Sequence, residues 1–80
     1  MTVIVRSFVF PNEPLEKFHL GEPFQFNLAE GTTLGEFVQT MFSKNSGQVG
    51  ILAVNGRVAT EATTLSEGDR IDLYALLDGG

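Results

Sequence analysis

Apolar and polar positions alternate over much of the chain. Most of Thr2 to Phe10 is β-branched or aromatic, which predicts a strand. Val3, Val5 and Val9 fall on one face with Ser7 among them, and Ile4, Phe8 and Phe10 fall on the other. Both faces are largely apolar, so the strand is expected inside its sheet. A long connection follows from Pro11 to Pro23, punctuated by Pro11, Pro14, Pro23 and Gly21. Leu15, Phe18 and Leu20 within it predict a loop that packs back on the domain. Phe24, Phe26 and Leu28 then alternate with Gln25, Asn27 and Ala29, the period of a strand with one buried face.

The spacing next changes from two to three and four. Leu34, Phe37, Val38 and Met41 form a single helical stripe. Thr33-Leu34-Gly35-Glu36 ahead of them has the pattern of a capping box, and Asn45-Ser46-Gly47 predicts the stop. Ile51 to Val54 reads as a strand, Asn55-Gly56 as a type I′ hairpin turn, and Arg57-Val58 as a short return strand. Glu67-Gly68-Asp69 is a tight turn that launches the last strand, Arg70 to Leu76, where Ile71, Leu73 and Ala75 oppose Arg70, Asp72, Tyr74 and Leu76. Two hairpins around one helix favour an α+β domain with a mixed sheet of four to five strands and one crossing helix. A right-handed crossover sets the first and last strands side by side, the ubiquitin-like β-grasp arrangement. The division expected is a β-grasp domain over 1–76 and a flexible C-terminal diglycine tail over 77–80.

Eighty residues leave room for one core. Cysteine is absent, which removes disulfides, thiolate metal sites and cysteine catalysis. Five basic against ten acidic residues give a formal net charge of −5, and the basic residues do not cluster. A phosphate backbone or an anionic membrane would be repelled, so neither nucleic acid nor membrane is an expected partner. No apolar run approaches the ~20 residues of a membrane span, and the start shows no signal-peptide pattern, so a cytoplasmic protein is expected.

Little else carries chemistry. His19 is the lone histidine and has no cysteine beside it to share a metal. Glu61 and Glu67 have no feature pairing them for acid–base work, and no catalytic residue is assigned. The glycines sit at turns and at the end of the chain, not in a phosphate loop. Asn55-Gly56 and Gly68-Asp69 are read as turn chemistry. The exception is Leu76-Leu77-Asp78-Gly79-Gly80. A diglycine places a carboxylate on a segment without side chains, slim enough to enter a narrow active site.

Val54-Asn55-Gly56, Leu65-Ser66-Glu67-Gly68-Asp69-Arg70-Ile71 and Gly79-Gly80, in that order, resemble the MoaD/ThiS-like sulfur-carrier family of the β-grasp superfamily. Its branches are the small subunit of molybdopterin synthase and the thiamine-biosynthesis sulfur carrier. The resemblance is strongest from Ile51 to Gly80. It implies that an ATP-using activating enzyme adenylates the Gly80 carboxylate, and that sulfur then replaces AMP to leave a thiocarboxylate. An acceptor synthase, of molybdopterin synthase large-subunit or thiazole synthase type, would use that sulfur. The chain would then be a carrier and no enzyme, with no bound cofactor or metal and ATP consumed by its partner. Gly80 is the reactive site, Gly79 and Asp78 complete the tail, and Leu76, Leu77, Phe8 and Phe10 are candidate docking residues. Ile4, Phe8 and Phe10 have a second reading, in which they face the long loop with Phe18. Eighty residues and a long first hairpin favour the molybdopterin branch, although Tyr74-Ala75-Leu76-Leu77-Asp78 stands where that branch commonly has a proline-aromatic stretch. A ubiquitin-like protein modifier and a plain interaction module are the alternatives.

Overall fold

In the computed structural model, which describes residues 1–13 and 18–76, five strands form one sheet. They are β1 (Thr2–Ser7), β2 (Pro23–Asn27), β3 (Val49–Val54), β4 (Arg57–Val58) and β5 (Arg70–Ala75), in the order β2-β1-β5-β3-β4. β1 and β5 run parallel, with Val5 opposite Ile71 and Ser7 opposite Leu73; the other neighbours are antiparallel. This is the mixed ubiquitin-like β-grasp sheet, with α1 (Leu34–Phe42) packed on one face. Among the described residues no helix is long and apolar enough to cross a membrane.

The capping box forms as expected. The Glu36 N–H donates to Thr33 Oγ1 at 3.1 Å, and the Thr33 N–H donates to Glu36 Oε1 at 3.2 Å. Such a cap contributes about 1 kcal/mol by satisfying N–H groups that the first helical turn leaves open. Leu34, Phe37, Val38 and Phe42 then bury against Val3, Val5, Ile71 and Leu73. Each fully buried side chain of this size contributes ~1.5–3 kcal/mol. Phe42, four residues past Val38, extends the stripe beyond the expected Met41. The chain tightens after it into 3-10 turns over Ser43–Gln48, kinked at Asn45 (φ −120°), where the sequence predicted only a stop. An aromatic file of edge-to-face contacts runs from Phe18 through Phe24, Phe26 and Phe37 to Phe42, with centroids 5.6 to 6.3 Å apart.

Other element ends depart from expectation for local reasons. β1 stops at Ser7 rather than Phe10, because the buried Ser7 hydroxyl donates to the Val9 carbonyl at 2.7 Å and accepts the Val9 N–H at 3.0 Å. That closed loop turns the chain out of the sheet while keeping Val9 in the core. β2 ends at Asn27, although the Leu28 N–H still donates to the Met1 carbonyl at 2.8 Å. Phe18 packs back from the long connection, but Leu20 does not and is exposed. Leu15 lies outside the described residues. Ala75 falls on the same alternation as Ile71 and Leu73 but is exposed, at the place where the pairing of β3 with β5 becomes irregular.

Both hairpin-turn residues have positive φ, 53° at Asn55 and 82° at Gly56, as a type I′ turn requires. Asn55 does more than turn. Its Nδ2 donates to Asp69 Oδ1 at 2.9 Å, and its Oδ1 accepts the Arg70 N–H at 3.0 Å. Asp69 Oδ2 accepts the Ser66 N–H at 2.7 Å. The Asn-Gly turn and the turn before β5 therefore clasp each other.

Candidate functional site

The face of the sheet away from α1 carries the chemistry of interest. Pairing Ser7 with Leu73 places Phe8 beside Tyr74, and pairing Ile51 with Tyr74 places Ile51 on its other side. A row of apolar groups thus runs from Phe8, just past the end of β1, across β5 to β3. The Phe8 and Tyr74 rings stack, with centroids 5.6 Å apart and planes inclined by 12°. Leu76 follows two positions after Tyr74. Phe8, Gly50, Ile51, Tyr74, Ala75 and Leu76 line an open, almost wholly apolar groove of about 530 Å³. Ile51 and Leu76 keep 52% and 60% of their surface exposed, so the groove has apolar area left to bury.

A polar border runs along one side. Arg6 Nε donates to Asp72 Oδ1 at 2.9 Å, and a second guanidinium nitrogen donates to the Tyr74 hydroxyl at 3.3 Å. The Arg6 Cζ lies 5.7 Å from the centroid of the Phe8 ring, in cation–π range. The hydrogen bond and charge of Asp72, then the bond to Tyr74, raise the already high Arg6 pKa, so this group stays cationic. The Phe8–Tyr74 stack is thereby held by the ion pair at one edge. Gly21 closes the other side of Phe8; a methyl group there would meet the ring edge at 3.0 Å.

The candidate docking residues separate in space. Phe8 and Leu76 line the groove together, whereas Phe10 is outside it, 62% exposed and in edge contact with Phe18 at 6.1 Å. On this strand face Phe10 meets the loop through Phe18, as the loop-packing reading expects, while Phe8 remains accessible. Leu77, Asp78, Gly79 and Gly80 lie outside the described residues. The sequence reading missed Ile51, Tyr74, Gly50 and the Arg6–Asp72 pair. Tyr74 and Leu76, following Arg70 and Asp72 on one strand face, were the available signal. Among the described residues no three His, Asp or Glu side chains gather where they could hold a metal ion.

Comparisons with known proteins agree with this architecture. SAMP1 from Haloferax volcanii superposes with a TM-score of 0.64 over all of both chains at 16% identity, a likeness of fold. A chain from the complex of subunits 1 and 2 of molybdopterin-converting factor from Helicobacter pylori 26695 superposes with a TM-score of 0.58, again over all of both chains, at 26% identity. No curated protein matches the chain in sequence. The ThiS family model matches residues 9–80, from the end of the first β-hairpin arm through the final diglycine. The chain belongs to the ThiS family of ubiquitin-like sulfur carriers.

Proposed function

We propose that this chain carries sulfur as a thiocarboxylate on Gly80 and delivers it to a synthase of cofactor biosynthesis, of the molybdopterin type rather than the thiamine type. The observation that carries the reading is a family match that runs through Gly80, on a fold that sets an apolar groove beside Leu76. A carboxylate is a poor electrophile because its charge is delocalised and oxide is a poor leaving group. In an activating enzyme the Gly80 carboxylate attacks the α-phosphorus of ATP and pyrophosphate departs. A sulfide equivalent then attacks the acyl carbon, AMP leaves, and the carbonyl retains sulfur. The catalytic groups belong to the partners, and this chain is their substrate.

Its residues divide the remaining work. Gly79 keeps the approach to the reacting carbon free of side-chain bulk. Asp78 pairs with a basic residue at the partner's entrance. Phe8 and Leu76 in the groove, with Leu77 and Phe10 nearby in sequence, dock on the partner surface. Full-length likeness to a molybdopterin-converting factor chain supports the molybdopterin branch, and the two-subunit nature of that complex supports a synthase subunit as acceptor.

The test is the intact mass of the protein purified from its native host, with ATP–pyrophosphate exchange by its cognate activating enzyme. The expected mass change is one oxygen-to-sulfur exchange at Gly80, and removal of Gly80 abolishes pyrophosphate exchange at an unchanged melting temperature. Lysine-linked adducts in place of that mass change, or normal exchange by the truncated chain, would overturn the reading.

A further inference from the structure

We infer that Gly50 is a positioning residue, which fixes the direction in which the chain leaves the sheet towards Gly80. This rests on the carrier reading above. The pairing of β3 with β5 sets Val49 opposite Ala75 and Ile51 opposite Tyr74, so Gly50 is an extra residue with no partner. An extra residue of this kind bends its strand and re-aims whatever follows beside it. Across the bulge the Leu76 N–H donates to the Gln48 carbonyl at 2.6 Å. The side chain of Leu76 is largely exposed, so this backbone bond is what ties the exit point down.

Only glycine fits there. A Cβ at position 50 would lie 2.9 Å from the Leu76 Cα, 3.1 Å from its nitrogen and 3.2 Å from the Ala75 carbonyl oxygen. All three are backbone atoms and cannot swing aside. Gly50 is not among the glycines of positive φ, so the requirement is for space and not for an unusual conformation. At Gly47, three residues earlier, a methyl group would have nothing within 4 Å of it, and no such constraint applies. Adding a methyl at Gly50 must therefore push the last turn of backbone away from Gln48, and it moves the start of the segment that ends in Gly80.

Gly35 offers a matched control. A Cβ there would lie 2.8 Å from the Glu61 Cβ and 3.0 Å from its carbonyl oxygen, an equally tight fit on the helix side of the sheet. The experiment measures kcat and KM for activation with the carrier as varied substrate, for wild type, Gly50→Ala, Gly35→Ala and Gly47→Ala. A misplaced reacting group lowers the rate at saturation, about tenfold or more for a shift approaching 1 Å. Mere destabilisation reduces the folded fraction, which raises apparent KM and leaves kcat intact. The expected result is a kcat loss in Gly50→Ala alone, with a KM rise in Gly35→Ala and wild-type behaviour in Gly47→Ala. Amide exchange should show protection of the Leu76 N–H lost in Gly50→Ala and kept in Gly35→Ala. If Gly50→Ala does not fold, chemical synthesis of the chain with an ester in place of the Leu76 amide removes the bond to Gln48 without adding a side chain, and kcat should fall again. A wild-type kcat in Gly50→Ala or in the ester, or an equal kcat loss in Gly35→Ala, would overturn the inference while the carrier reading stands. A wild-type chain that is not activated at all would sink the carrier reading, and this inference with it.

Discussion

Leu76→Ser isolates the groove from the fold. Leu76 is 60% exposed and lies past the end of β5, so the core does not depend on it. Burying a whole leucine is worth ~1.5–3 kcal/mol, and the exposed share leaves about 0.9–1.8 kcal/mol to be gained when a partner covers the groove. The serine variant should therefore bind the activating enzyme about five- to twentyfold more weakly. Its stability should stay within about 0.5 kcal/mol of wild type, as for surface positions generally. Val58 supplies the control, since it is 80% exposed on β4 but does not line the groove. Val58→Ser should leave affinity unchanged. Titration calorimetry against the activating enzyme, paired with thermal melts, measures both quantities. A drop in melting temperature with unchanged affinity would place Leu76 in the fold. Equal affinity losses in both variants would mean that the partner reads general hydrophobicity, and the groove would have no special role.

Gly79→Ala adds a methyl group beside the reacting carboxylate, and turnover in the exchange assay should fall about tenfold or more, with no change in melting temperature, if the approach is narrow; near-normal turnover would mean that the segment is not closely enclosed. Asn55→Ala should cost about 1–3 kcal/mol in chemical denaturation, since it removes the bonds to Asp69 and Arg70 and forces a non-glycine residue without a polar side chain to hold φ near 53°. Asn55→Gly keeps the turn and loses only the bonds, so it should be less damaging, and folded forms of both should bind partners normally; an affinity loss at full stability would make the turn a contact site.

What could be read along the chain was what depends on near neighbours. The Thr33 cap, the stripe from Leu34 to Met41 and the Asn55-Gly56 turn each rest on groups a few residues apart, and each forms as its spacing dictates. Ser7 shows where that reading fails. Its hydroxyl closes a loop on Val9 that a strand-like composition does not announce, and β1 ends three residues early. Gly79 and Gly80 could be singled out because the role proposed for them depends on residue type alone. The groove could not, because it is a product of register. Phe8 meets Tyr74 only through the parallel pairing of the two chain ends, and Ile51 joins them only through an antiparallel pairing interrupted at Gly50. A single exposed aromatic on a strand is unremarkable. Two brought into a stack beside Ile51 and Leu76 are a patch, and under the proposed carrier role a patch beside the last residue of the sheet would give a partner a surface to grip close to where the segment ending in Gly80 begins.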